Sequence, residues 1–256
     1  MQDSLKTRRS LLIGGSLFVF LVVSVSLVLF IRERSMKPAT PIEYIAARSE
    51  SAYSLPFDVL QYLLYLSVEE KKNLSQVDVH ALEGRMLQCP ALEKAQVRRL
   101  FPDTLVIDYL LKTPVFQIGG VQNLVIDERG DVFRKSPYFP SLHLPIFYFC
   151  QAETPITLIQ MIMNNKPLFS SCVFLYRSLK TMGFSVEEID AEEALALGVF
   201  RREIRVKVSS QSRNICLRLS VQEPEKLMKR LSLILERFPE YSGIIDLRFP
   251  DVAYLE

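Results

Sequence analysis

The sequence predicts an α+β protein with one N-terminal transmembrane helix, a β-α-α-β-β module, and a mixed β domain with flanking helices. Three observations predict it. Leu11 to Ile31 is a run of 21 residues without a charge. Between Ile42 and Lys112, strand and helix periodicities follow one another in the order β-α-α-β-β. After Pro114 the texture changes to short alternating strands with amphipathic helices among them. The expected boundaries are a cytoplasmic tail at 1–10, a membrane helix at 11–31, a linker at 32–40, the first module at 41–113 and the β domain at 114–256.

The uncharged run, at 1.5 Å per residue, spans roughly 30 Å, the thickness of a bilayer's hydrocarbon core. A cleavable signal peptide has a shorter apolar region and a small-residue cleavage site. Here the run continues into "RERSMKPATP", so it predicts an uncleaved anchor. Lys6, Arg8 and Arg9 precede it, and Arg32, Arg34 and Lys37 follow it, which nearly balances the positive-inside rule. The short basic tail before the span decides the orientation: N-terminus in the cytoplasm, the rest exported.

In the first module, "IEYIAARSE" is a short strand near the membrane. Asp58 to Leu66 carries Val59, Leu60, Leu63, Leu64 and Leu66 at helical spacing. Asp78 reads as the N-cap of a second helix with Val79, Leu82, Met86 and Leu87 on one side, ended by Pro90. "LEKAQVRRLF" and "TLVIDYLLK" are strands joined at Pro102-Asp103, where proline presets φ and Asp offers an Asx-type turn. Leu105, Ile107 and Tyr109 share one face and can cover the helices; Pro114 should interrupt regular pairing or mark a sheet edge.

In the second part, "LVID" and "DVF" flank Gly130 as a hairpin. "SPYFPSLHLPIFYF" reads as an irregular, partly buried crossing. Cys172, Leu175, Leu179 and Met182 mark a helix that Gly183 stops. Ile204, Val206 and Val208 alternate with Arg205 and Lys207, and Ile215, Leu217 and Leu219 alternate with Cys216 and Arg218, forming the clearest hairpin. Pro224 opens a helix with Leu227, Leu231, Ile234, Leu235 and Phe238 as its stripe. The chain closes with "GIIDLRF", the break Pro250-Asp251, and "VAYLE".

The residues for several kinds of chemistry do not assemble. The net charge of +2 is too balanced for a nucleic-acid binder that relies on phosphate neutralisation. His80 and His143 are the two histidines, and neither has metal-ligand spacing. No P-loop, G-x-G-x-x-G or G-x-S-x-G motif is present, so the sequence predicts no enzyme and no cofactor. The adjacent acid pairs, such as Glu187-Glu188, do not face each other and read as solvated surface. Cys89, Cys150, Cys172 and Cys216 lack framework spacing and read as small buried hydrophobes, with a Cys172–Cys216 bridge as the alternative. Arg201, Arg202, Arg205, Lys207, Arg213 and Arg218 gather on one hairpin, either as a solvated face or as a contact for an acidic partner or anionic lipid headgroups.

The stretch "CPALEKAQVRRLFPDTLVIDYLLKTPVFQIGGVQNLVIDERGDVF" resembles the FtsQ/DivIB family of bacterial division proteins. Phe101, Pro102, Thr104, Leu105, Ile107, Pro114, Val115, Asp127, Gly130, Val132 and Phe133 fit the family pattern, and "IIDLRFPDVAYLE" resembles its final strands. The chain departs from that pattern at "LLKT", where the family has Glu-Arg before Pro-Val, and at Phe249, where it has tyrosine. The resemblance implies that the first module is a POTRA domain and that the protein is a non-enzymatic scaffold. It would link upstream divisome components at the POTRA domain to septal wall synthesis, with FtsB- and FtsL-like single-span coiled-coil proteins at the β domain. It further implies the inner membrane at the division septum, in single-pass type II topology, with the C-terminal part periplasmic or outside the cell. The competing readings are an anchored hydrolase and a POTRA-type adaptor for secretion or outer-membrane assembly.

A sheet that ends at the chain terminus leaves an edge with which another chain can pair. The expected partner-binding residues are therefore Arg248, Phe249, Val252, Ala253, Tyr254 and Leu255, with Phe249 and Tyr254 as anchors. Arg201 and Arg205 are expected at the polar rim. The alternative is that the tail merely covers its own sheet.

Overall fold

The computed structural model describes residues 24–27, 40–64, 73–139, 141–149, 154–196, 198, 202–210 and 213–256. The expected membrane helix lies outside these residues except for Ser24 to Leu27, which are helical. Among the described residues, no helix is long and apolar enough to cross a membrane.

The β-α-α-β-β order is present as β1 (Tyr44–Ser49), α1 (Phe57–Leu64), α2 (Val79–Leu87), β2 (Leu92–Leu100) and β3 (Thr104–Leu111). The strands form a sheet in the order β1-β3-β2. Alternation along β3 is complete: Leu105, Ile107, Tyr109 and Leu111 are buried, with half-buried residues between them. Asp78 caps α2, its carboxylate accepting from the amides of His80 and Ala81 at 3.1 Å. The phenol of Tyr109 accepts from the Leu55 amide at 2.9 Å, which gives a buried aromatic its polar partner.

The larger sheet holds β4 (Pro114–Ile118), β5 (Leu124–Asp127), β6 (Val132–Arg134), β7 (Ile146–Tyr148), β8 (Ser185–Asp190), β9 (Ile204–Ser210), β10 (Arg213–Leu219), β11 (Gly243–Leu247) and β12 (Tyr254–Leu255). Its order is β12-β11-β10-β9-β8-β7-β4-β5-β6. Pro114 begins β4 rather than ending the pairing, and the β4–β5 register shifts between Pro114 and Phe116. A first strand position beside a bulge is where a missing amide is tolerated. Gly130 turns the β5–β6 hairpin at φ +90°.

Helices α3 (Pro155–Asn164), α4 (Lys166–Thr181) and α5 (Pro224–Arg237) complete this part. Helix α5 connects β10 to β11, which pair in parallel, and so makes a βαβ crossover. One face of the sheet is apolar and belongs to one cluster with the helices: Val206, Leu217 and Ile245 with Leu175, Leu179 and Leu231. Phe116 and Phe147 stack within it with centroids 5.1 Å apart. The other face carries the polar residues of the same strands. Phe238 departs from the expected stripe. It follows the last turn of α5 and is exposed, while Met228 is buried instead. Cys172 and Cys216 are free thiols, so the alternative of a bridge between them fails; Cys150 lies outside the described residues.

By contacts the chain divides into two compact units. The first comprises residues 1–45, 71–77 and 99–105, and the second 46–70, 78–98 and 106–256. In the first, Pro41 bridges Asn73, Leu74 donates to the Thr40 carbonyl at 3.0 Å, and Glu43 donates to the Asp103 carbonyl at 3.0 Å. In the second, Lys112 pairs with Asp131 at 2.7 Å and Arg129 with Glu93 at 3.1 Å.

Candidate docking edge

The terminal segment folds back because of what its sequence forbids and permits. Pro250 has no amide to continue β11, and the chain reverses at Pro250-Asp251. It returns as β12, antiparallel to β11, with Ile245 opposite Leu255 and Asp246 opposite Tyr254. Ile244 and Glu256 exchange both amide bonds, at 2.8 and 3.0 Å. Pairs in an antiparallel ladder alternate, so the amide and carbonyl of Leu255 point away from β11, toward the open side. Strand β12 is the last in the sheet order, so those groups form its edge.

Three residues hold this short strand. Gly243 has φ +146°, and a Cβ there would stand 2.3 Å from the Glu256 carbonyl oxygen, so glycine permits the close approach. The Tyr241 hydroxyl lies 2.6 Å from that same oxygen and 2.9 Å from the Ile244 carbonyl. Arg230 reaches down from α5 and donates to the carbonyls of Phe249 and Val252 at 2.8 and 2.9 Å, spanning the Pro250-Asp251 break.

Phe249, Val252, Tyr254 and Leu255 are exposed large hydrophobic side chains gathered in this segment. The Phe249 and Tyr254 rings meet edge to face at 5.9 Å, and the Arg248 guanidinium lies 5.8 Å from the Phe249 ring. Ala253 turns inward and packs against the core cluster. Beside Phe249 is a cavity of about 410 Å³ lined by residues that include Arg202, Gln222, Arg248 and Pro250.

The basic hairpin is not a free cationic patch. Glu203, only 3% exposed, accepts from Arg205 at 2.5 Å, from Arg218 at 3.0 and 2.8 Å, and lies 3.1 Å from Arg248. Arg248 also grips Asp246, with Nε and Nη2 at 3.0 and 2.6 Å from Oδ2. Lys207 pairs with Glu188 at 2.8 Å. Burial presses the Glu203 carboxyl upward, but hydrogen bonds and charge from Arg218 and Arg205 outweigh it and hold it below the usual range. Asp246 follows the same pattern. Burial raises it, the Arg248 bonds lower it more, and it too stays below its ordinary value.

Six expected site residues, Arg248, Phe249, Val252, Ala253, Tyr254 and Leu255, come together at one edge. Arg205 is on β9, two strands in from β11, and joins the others through Glu203. Arg201 lies outside the described residues. Sequence reasoning missed Glu203, Asp246 and Arg230. The first two were available from the two-residue period, since Glu203 shares the face of Arg205, and Asp246 alternates with Ile245 and Leu247. Nothing local marks Arg230, whose role depends on a segment about twenty residues later. Among the described residues no group of acids, histidines or cysteines could hold a metal ion.

Comparison with known proteins places residues 63–108, from the end of α1 into β3, in the family of FtsQ-type POTRA domains. The chain is 31% identical over 87 residues to the cell division protein FtsQ of Myxococcus fulvus, covering 34% of this chain and 31% of that one. It is 31% identical over 96 residues to the cell division protein FtsQ of an Anaeromyxobacter species, covering 36% and 32%. The matched stretch spans about a third of each relative. The FtsQ-type domain match and the two FtsQ relatives thus agree on what this part of the chain is similar to.

Proposed function

We propose that this chain is a non-enzymatic scaffold of bacterial cell division, linking early division proteins to the septal wall synthesis machinery. The observation that carries the docking mechanism is the open outer side of β12, held in place and flanked by the exposed aromatic pair Phe249 and Tyr254. A partner strand adding there would bond to the main chain of Leu255, while alternate side chains set its register. The partners in this reading are FtsB- and FtsL-like single-span coiled-coil proteins at the β domain, and upstream divisome components at the POTRA domain. The FtsQ-type POTRA match and the similarity to two cell division proteins FtsQ support the division role.

In this reading residues 11–31 anchor the chain in the inner membrane, residues 1–10 stay in the cytoplasm, and the part after residue 31 lies in the periplasm or outside the cell at the septum. Residues 41–113 form the POTRA domain and 114–256 the β domain, a division supported by the change of sheet between Leu111 and Pro114.

The test is capture of the purified FtsB- and FtsL-like pair of the same genome by the full chain and by a chain lacking Val252 to Glu256. Loss of capture in a shortened chain that melts like the parent supports the docking edge. Capture with unchanged affinity rejects it.

A further inference from the structure

At one end of the first unit, several large apolar side chains are exposed. Tyr44 is 62% exposed, Leu100 58% and Phe101 49%, and Pro102 beside them is exposed too. Single exposed hydrophobics are ordinary, but four at one tight turn and the adjacent strand start are a patch, and patches mark contact surfaces. The turn and the strand start are bonded together. The Tyr44 and Glu43 amides both donate to the Asp103 carbonyl, at 3.4 and 3.0 Å, and the Thr40 hydroxyl donates to the Pro102 carbonyl at 2.5 Å.

Thr40 fixes where this patch can be. It lies nine residues after Ile31, the end of the uncharged run. Nine extended residues reach at most about 30 Å. The patch is thus leashed to the membrane by its own backbone, at its own end of the module. Its charge is nearly balanced: Glu43 and Asp103 stand against Arg99, whose guanidinium donates to the Ser75 carbonyl at 3.3 Å. The composition suits the apolar side of the headgroup region, where a tyrosine places its ring in the boundary and its hydroxyl in water.

We infer that Tyr44, Leu100, Phe101 and Pro102 rest in the lipid interface of the membrane that holds residues 11–31, and so fix the tilt of the POTRA module on the bilayer. The contact rests on the anchor reading given above. It is an apolar contact with lipid and needs no anionic headgroup.

The chain contains no tryptophan, so one introduced indole reports alone. The full chain carrying Phe101→Trp is reconstituted into phosphatidylcholine vesicles with bromine on the acyl chains, with and without phosphatidylglycerol. Leu100→Trp serves as a second probe of the patch should the first variant misfold. Leu233→Trp, at a position 64% exposed on α5, is the reference. Quenching and a blue shift for the patch variant in both lipids, with the reference unquenched, are the expected results. Protein that floats with the vesicles yet shows no quenching at the patch overturns the inference and leaves the anchor standing. Equal quenching at both positions, or quenching only with phosphatidylglycerol, also overturns it. Protein that does not float overturns the anchor, and the inference with it.

Discussion

Arg230 shows how one side chain can govern a segment it does not belong to. Its two bonds cross the Pro250-Asp251 break and hold Phe249 and Val252 on opposite sides of it. Arg230→Gln should leave the melting temperature near that of the parent, speed amide exchange at Ala253 to Glu256, and weaken partner capture roughly tenfold, since charge-assisted bonds contribute about 1.5–3 kcal/mol. Arg230→Lys should recover part of the loss. Unchanged exchange in Arg230→Gln would remove the clamp from the account. Glu203 governs more of the fold. It is buried and satisfies three guanidiniums, so Glu203→Gln should lower stability by about 2 kcal/mol in a denaturant titration. The sign with pH follows from the depressed pKa values of Glu203 and Asp246. Their stabilisation is complete above the unfolded values of about 4 and is lost as pH falls through the lower folded values. Asp127 opposes this, because burial raises its pKa and its ionised form is penalised in the fold. A denaturant midpoint that falls below about pH 4 in the parent, and falls less in Glu203→Gln, is the expected outcome.

The faces of single strands were legible from the two-residue period, and β3 is the clearest case. Leu105 and Ile107 are fully buried, while Val106 between them is half exposed. Leu105→Asp or Ile107→Asp should therefore remove several kcal/mol, and Val106→Asp much less. Equal melting temperatures for all three would mean that the strand is misplaced. The β9–β10 hairpin and α5 were legible for the same reason, an unbroken period. Helix α3 and strand β8 were not. "PITLIQMIMN" is mostly apolar, its polar stripe reduced to Thr157, Gln160 and Asn164, although Thr154 caps it by accepting from the Thr157 amide at 3.2 Å. Strand β8 carries a register shift between Val186 and Glu188, which breaks the alternation where it would have been read. Strand β12 is two residues long, too short for any period, and only the Pro-Asp break before it drew attention to it.

At the scale of the whole molecule, the chain joins an FtsQ-type POTRA domain to a sheet whose last strand is the chain's own end. A reporter active only in the periplasm, fused after Glu256, should be active; activity of a cytoplasm-only reporter instead would reverse the topology. The docking claim can be tested with less disturbance than deletion. The Leu255 amide points away from β11, whereas the Glu256 amide bonds to Ile244. Leu255→Pro therefore removes a donor from the open side and leaves the inner pairing its donors, and proline is tolerated where a strand's amide faces out of the sheet. The decisive measurement is the affinity of full-length Leu255→Pro for the FtsB- and FtsL-like pair, beside its melting temperature. The account predicts an unchanged melting temperature and an affinity at least about tenfold weaker, the loss of one main-chain bond and of its neighbours' register. Unchanged affinity in a normally folded variant would contradict it.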